Sequence, residues 1–142
     1  MKKHTATIII LMLAVLTGLV NAQTGTMVIT QVPFNYVANG RTMPAGEVRA
    51  KVENNGQLYL SIVSGDQRIF ALLQTNESAK PAEASSLVFH KYGNRYFLAS
   101  VTTRGQKVSY ELPVVSLEKE LRASSVDEKD VTLVASLKML GK

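Results

Sequence analysis

The sequence predicts an all-β fold, an antiparallel sandwich or small barrel of about eight strands built from two meanders, with one short C-terminal helix. From Thr26 onward, apolar and polar residues alternate with a period of two, the spacing of side chains along a strand. Turn-forming residues recur about every ten positions, which is typical of all-β domains. The chain contains no cysteine, which excludes disulfides, thiolate zinc sites and cysteine nucleophiles.

The first 22 residues are predicted to form a secretory signal peptide. Basic residues at the start precede an apolar run of 13 residues over 8–20, and Val20 and Ala22 are small residues at the −3 and −1 positions. Retention as a membrane anchor is the weaker alternative, because a spanning helix needs about 17–25 residues. We therefore expect cleavage after Ala22, a single domain over 23–142, and a secreted or periplasmic location.

Removal of the signal peptide also changes the net charge. Lysines and arginines fall from 16 to 14 against 11 acidic residues, so the charge falls from +5 to +3. The remaining basic residues are scattered and form no block, whereas phosphate binding requires a basic stripe or patch. We therefore expect no nucleic-acid partner, and membrane contact only during export.

The N-terminal part of the predicted domain contains one strand and one turn. Val32, Phe34 and Tyr36 alternate around Pro33, and that proline should confine the strand to a sheet edge or a bulge. Residues 43–46 have the pattern of a type I turn, with proline at the second position and glycine at the fourth.

The first meander is expected to consist of three strands, and their register depends on the first turn. A two-residue loop would place Leu58 opposite Glu53, so that apolar residues would lie beside charged ones. A three-residue loop over 54–56 instead pairs Val52 with Leu58, and Gly56 can supply its left-handed residue. A two-residue loop follows at Gly65-Asp66. The strands cover residues 48–52, 58–62 and 69–73.

A second meander follows a polar connection. The turn at 93–94 suits type II′, with glycine first, and a turn at 104–105 would pair Val101 with Val108. The first strand of this meander is apolar on both faces, so we expect it to be central or covered by another element. The strands cover residues 87–92, 95–102 and 106–112.

A short helix is expected over 116–123, with its first serine as the cap. Leu117 and Leu121 would share its inner face, and Glu118 and Arg122 would form an i,i+4 pair. An acidic linker over 127–130 and a last strand would follow, with one face formed by Val131, Leu133, Ala135 and Leu137.

The polar residues predict no catalytic, cofactor or metal site, and we expect a protein that is not an enzyme. His90 is the only histidine after cleavage, and a zinc site needs three or four ligands. The chain has no G-x-S-x-G nucleophile motif. Glu111 is expected to form a cross-strand ion pair with Lys91 or Arg95. The acids over 127–130 lack the spacing of a calcium-binding loop, which favours a solvated loop.

Tyr59, Phe70 and Leu72 fall on the face opposite the core of the first meander. Large apolar clusters are rarely left in water, so the favoured interpretation is that the helix or the N-terminal strand covers them. The alternative is a possible partner surface, because exposed apolar patches mark interfaces.

Five short stretches of the chain form a recognisable set: residues 32–37, 43–47, 87–93, 96–98 and 116–121. Together they resemble a family of short, signal-peptide-bearing, uncharacterised exported bacterial β-domain proteins. Val48 departs from the aromatic residue expected after the Pro-Ala-Gly turn. The resemblance implies an exported bacterial domain and no particular activity.

These observations favour an exported, non-enzymatic interaction module that binds a protein or a cell-envelope component. The alternative is a small β-barrel that carries an apolar ligand, with a pocket lined by Phe34, Phe97 and Tyr110. A hydrolase would instead require His90 within hydrogen-bond reach of a serine such as Ser64.

Overall fold

The computed structural model describes residues 26–124 and 127–135. The predicted signal peptide and Leu137 lie outside these ranges, so cleavage after Ala22 stays a prediction. No helix in the described ranges is long and apolar enough to cross a membrane. The elements are β1 (Thr26–Val32), β2 (Tyr36–Ala38), β3 (Arg41–Met43), β4 (Gly46–Asn54), β5 (Leu58–Ser64), β6 (Gln67–Leu72), β7 (Gln74–Glu77), β8 (Ser86–Tyr92), β9 (Arg95–Thr102), β10 (Val108–Glu111), α1 (Ser116–Ala123) and β11 (Glu128–Val134).

The strands form two open sheets, so the fold is the predicted all-β sandwich rather than a closed barrel. The first sheet is antiparallel, in the order β1-β4-β5-β6. The second has the order β11-β8-β9-β10-β7, and β2 joins it through a parallel bridge between Val37 and Phe97. The two predicted meanders are confirmed as β4-β5-β6 and β8-β9-β10.

One hydrophobic core lies between the sheets. Leu60 and Ile62 of the first sheet are fully buried, as are Leu87 and Phe89 of the second. Phe89 meets the rings of Phe34 and Tyr36 edge-on, at centroid distances of 5.2 and 5.3 Å. Since a chain without disulfides depends on burial for its stability, this cluster is the main source of cohesion.

The first hairpin has the predicted loop length but a different register. Val52 pairs with Leu60 and Asn54 with Leu58, so the loop is residues 55–57 rather than 54–56. Gly56 has a positive φ of 84°, but it lies at the centre of the loop instead of its end. The shift is two residues along β5, and an even shift leaves the apolar faces aligned. The two-residue turn at Gly65-Asp66 is confirmed.

The second meander contains one confirmed and one corrected turn. Tyr92 pairs with Arg95 across the two-residue turn, as predicted. Val101, however, pairs with Tyr110 and not with Val108. The cause is the predicted polar connection, which forms β7 and binds the turn: the Ala82 N–H donates to Gln106 and the Gly105 N–H donates to Ala82. Backbone groups that would extend the β9–β10 ladder are thus used by the connection.

A β-bulge in the β8–β9 pair changes which side chains face the core. Val88 pairs with Ser100, whereas Phe89 pairs with Leu98, so Ala99 is the extra residue. Strict alternation would place Phe97 and Val101 on one face. The bulge instead directs Leu98 and Val101 to the core and Phe97 to the outer face beside His90.

The N-terminal strand is interrupted, as the proline suggested. β1 is an edge strand and ends at Val32, and a separate hairpin of β2 and β3 follows. Its turn is Asn39-Gly40, and both residues have the positive φ of a type I′ turn (49° and 76°). The Asn-Gly dipeptide is a strong hairpin signal that our sequence interpretation missed.

The C-terminal elements differ from expectation in three respects. Val115, not Ser116, is the N-cap of α1, without a side-chain cap bond. The buried residue of α1 is Glu118, and Leu117 is exposed, so the predicted apolar inner face was wrong. The predicted acidic linker instead begins β11, which pairs with β8. β8 is therefore central in its sheet, as its two apolar faces predicted, and α1 contacts the C-terminal part of β8 at His90 and Tyr92.

Candidate interaction surface and a buried carboxylate

The outward apolar set consists of Tyr59, Phe70 and Leu72, and the structure brings its three members together. Tyr59 and Leu72 are directly paired, and the rings of Tyr59 and Phe70 meet edge-on at 6.0 Å. Phe70 is 54% exposed and Leu72 is 53% exposed. The favoured expectation that the helix or N-terminal strand covers the set was therefore wrong.

The ring of Tyr59 is held by hydrogen bonds at its hydroxyl. The hydroxyl donates to Glu53 Oε2 at 2.7 Å and accepts from Asn55 Nδ2 at 3.0 Å. The bond to the carboxylate raises the pKa of Tyr59 and lowers the pKa of Glu53. Because its polar end is occupied, Tyr59 presents an oriented ring to the surface.

β6 is the edge strand of its sheet beside this set. The Leu73 N–H donates to Leu58, which makes that pair a hydrogen-bonded one. In an antiparallel ladder such pairs alternate, so the backbone groups of Phe70 and Leu72 point away from β5. Asn39 Nδ2 donates to the Phe70 carbonyl at 2.9 Å and thereby occupies one acceptor of the free edge.

Two surface cavities share Asn39 in their lining. The first, of about 330 Å3, is lined mostly by apolar groups: Tyr59, Phe70, Leu72 and Pro113 with Asn39 and Ala71. The second, of about 270 Å3, shares Asn39 and Phe70 and adds two guanidinium groups, those of Arg41 and Arg68. The surface thus combines an apolar and a basic recess.

A second polar cluster lies beneath α1 on the opposite sheet. Glu118 is only 4% exposed, and acidic side chains are rarely buried unless they are paired. Its Oε1 lies 2.6 Å from His90 Nδ1 and accepts from the Tyr92 hydroxyl at 3.1 Å. Arg122 lies 3.7 Å away, which confirms the predicted i,i+4 pair, and donates to the Tyr92 hydroxyl.

The titration of this cluster follows from these contacts. The hydrogen bond to Glu118 raises the pKa of His90, and burial only partly opposes that effect. The charges of Glu118, Glu128 and Asp130 act in the same direction. Burial raises the pKa of Tyr92 to about 12. In this cluster the buried carboxyl group of Glu118 is thus surrounded by the side chains of His90, Tyr92 and Arg122.

Three ligand atoms of this region could approach a cation. One atom each of His90, Glu128 and Asp130 lies within 4.8 Å of the others. Glu128, however, already pairs with Arg122 at 3.3 Å. A cation would therefore have to compete with a guanidinium for this carboxylate.

The structure revises the remaining predictions about polar residues. Among the described residues, the hydrogen-bond partner of the His90 ring is Glu118, and no serine side chain bonds to it. Glu111 accepts from Asn76 Nδ2 at 2.8 Å rather than pairing with Lys91 or Arg95.

Sequence reasoning missed the burial of Glu118, because an i,i+4 charge pair normally indicates a solvated helix face. The available signal for a buried partner was the polar His90 on a strand that was predicted to be central or covered by another element. Arg41 and Arg68 were missed because the β2–β3 hairpin, which brings Arg41 to β6, was not predicted.

Comparison of the chain with protein-family models, with curated proteins and with solved structures found no match in any of the three.

Proposed function

We propose that the protein is an exported, non-enzymatic interaction module that binds a protein or a cell-envelope component through the outward apolar set. Export is supported by the N-terminal sequence pattern. The interaction surface is supported chiefly by one observation. Phe70 and Leu72 are both more than half exposed, and they lie on the edge strand β6 next to Tyr59 of β5.

Exposure of this kind is costly for a monomer that has no partner. Removing apolar surface from water contributes about 25 cal/mol per Å2, so a partner that covers two large side chains and a tyrosine ring gains a substantial driving force. Aromatic residues are also enriched at the energetically important centres of interfaces. The set has both properties.

The test is co-isolation of the exported protein from the cell envelope, followed by quantitative mass spectrometry of the bound material. We expect Phe70→Ser/Leu72→Ser to reduce the bound partner at least tenfold, by analogy with hot-spot losses of about 2 kcal/mol. The matched control is Met27→Ser/Val134→Ser, since these residues are also exposed (50% and 60%) but lie on other strands. Equal recovery by the Phe70/Leu72 variant and the wild type would contradict the proposal.

The alternative function, a barrel that carries an apolar ligand, gains no comparable support. The described strands form open sheets. Of the residues expected to line a pocket, Phe34 stacks on Tyr96 at 3.7 Å, and Phe97 meets Tyr92 at 5.8 Å on the other face of the sheet. These rings fill space with one another instead of converging on a cavity.

A further inference from the structure

We propose that the two recesses beside Asn39 form one docking surface for an extended, acidic segment of a partner protein. A large apolar side chain of that segment would enter the first recess, and a carboxylate would bind in the second. This inference rests on the proposed function and adds to it the chemistry of the partner.

The apolar recess fits a single large side chain. It lies between the Tyr59 ring, Leu72 and Pro113, and the hydroxyl of Tyr59 is already satisfied by Glu53 and Asn55. An aromatic or long aliphatic side chain would therefore meet apolar walls without leaving a protein polar group unpaired. Aromatic side chains bury about 150–250 Å2 each, which suits an anchor residue.

The basic recess carries positive charge that the described residues leave uncompensated. Neither Arg41 nor Arg68 forms an ion pair within the described ranges. Arg68 contributes only the smallest of the effects that lower the pKa of Glu53, which Tyr59 and Lys51 already engage. Guanidinium groups bind carboxylates bidentately, so an acidic partner complements this recess.

The two recesses have the spacing of an extended chain. Arg68 and Phe70 lie two residues apart on the same strand, and their side chains point to the same face. Two residues of a strand span about 7 Å. A partner in extended conformation would therefore present its apolar and acidic side chains one to three positions apart. Within the described ranges the outward backbone groups of Leu72 have no backbone partner in a neighbouring loop or element, so they can form additional hydrogen bonds.

A second copy of this chain fits the surface less well. Self-pairing along β6 would bring the Arg41 and Arg68 groups of both copies to the same contact, and like charges in an interface are unfavourable. Asn39 also blocks the Phe70 carbonyl, which a continuous ladder would need. Charge complementarity thus favours an acidic partner over self-association.

The test is selection of a phage-displayed random dodecapeptide library on the full exported protein. Retention of the selected phage on Phe70→Ser and on Arg68→Glu is then measured as a counter-screen. We expect the enriched sequences to carry Asp or Glu within one to three positions of a large apolar residue. Synthetic peptides of these sequences should lose at least fivefold in affinity on either variant. Met27→Ser and Arg95→Glu are the matched controls, since Arg95 is exposed and lies at the β8–β9 turn of the second sheet.

The other outcomes of the selection distinguish the docking surface from the acidic chemistry of its partner. Enrichment of apolar sequences without acids, dependent on Phe70, would overturn the acidic partner and leave the interaction proposal standing. Sequences that bind the Phe70 variant equally well, or no enrichment at all, would overturn the docking surface. If the wild type forms concentration-dependent dimers in sedimentation and Arg68→Glu changes them, the occupant is a second copy of the chain. If the wild type binds phosphatidylglycerol vesicles and Arg68→Glu abolishes that binding, the occupant is a membrane. Either result would overturn the inference.

Discussion

The burial of Glu118 depends on the polar side chains that surround its carboxyl group. It lies on a short helix that is otherwise largely exposed, yet its carboxylate is buried against β8. Burial of a charge is unfavourable unless donors replace the lost water. His90, Tyr92 and Arg122 supply that replacement from two different elements. The helix is therefore held to the sheet by a polar contact instead of the apolar face that its sequence suggested.

The first prediction concerns the pKa of His90. It is raised in the folded state above its ordinary value of 6.5, so the folded protein binds a proton more tightly than the unfolded chain. The resulting stabilisation is fully present below pH 6.5 and is lost as the pH rises through the folded-state pKa. We expect the free energy of unfolding to fall with increasing pH across that window.

Glu118→Gln should lower the pKa of His90 and flatten this pH dependence, because the largest cause of the shift is removed. NMR titration of the His90 ring and urea unfolding at several pH values measure the two effects. Glu120→Gln, an exposed glutamate on the same helix, is the control and should change neither. An unchanged His90 titration in Glu118→Gln would show that the pair does not set the pKa.

Among the elements, most strands and the two-residue turns at 65–66 and 93–94 were predicted, whereas the registers of two strand pairs were not. Alternation fixes which face of a strand is buried, but a shift of two residues preserves that face and is invisible to it. The β4–β5 and β9–β10 pairs were both displaced in this way. The bulge at Ala99 is the opposite case, because it breaks alternation without any glycine or proline to signal it.

The second prediction tests the conformation of the β4–β5 loop. Gly56 has φ +84°, and a Cβ there would meet no atom within 4 Å. Gly56→Ala should therefore destabilise the protein by the conformational cost alone, about 1 kcal/mol. Urea unfolding measures the change, and Gln57→Ala in the same loop is the control, expected within about 0.5 kcal/mol of wild type. A neutral Gly56→Ala would contradict the left-handed conformation.

The third prediction concerns the protection of the β6 edge. Asn39→Gly keeps the positive φ of the turn but removes the hydrogen bond to the Phe70 carbonyl. We expect little loss of stability, about 1 kcal/mol or less, but stronger self-association, because an open apolar edge strand templates pairing. Sedimentation velocity over a concentration series measures the self-association.

Asn94→Gly is the control for the edge prediction, since it makes the same substitution at the tip of the β8–β9 hairpin, away from β6. Identical sedimentation of the Asn39 variant and the wild type would show that the side chain does not protect the edge.

At the scale of the whole molecule, the sequence predicted an all-β fold and which side chains point away from the core, but not which of them stay uncovered or which elements meet. The outward position of Tyr59, Phe70 and Leu72 followed from strand parity alone. The basic recess did not, because Arg41 reaches β6 through a hairpin distant in sequence. Glu118 was missed for the same reason: its burial depends on where α1 packs, and a local pattern contains no such information.

The last prediction is that the two sheets unfold as one unit. Phe89 belongs to the second sheet but is fully buried in a core to which both sheets contribute. Phe89→Ala should cost about 3–5 kcal/mol, the range for large aromatic truncations in a core. That is a large share of the roughly 5–15 kcal/mol that stabilises a typical domain. Since the core is shared, the loss should destabilise the first sheet equally.

Urea unfolding followed by far-UV circular dichroism and by tyrosine fluorescence measures this cooperativity. The two signals should give coincident single transitions in the wild type and in Phe89→Ala, with the variant midpoint shifted to lower urea. Leu72→Ala removes a comparably large but exposed side chain and should shift the midpoint little. Separate transitions, or hydrogen exchange that retains full protection in β4 and β5 of Phe89→Ala, would show that the sheets are stabilised independently. A coincident transition would mean that the outward apolar set and the Glu118 cluster are both stabilised by the same core. A single measurement of global stability would then suffice to check that a surface variant is folded before its binding affinity is compared with that of the wild type.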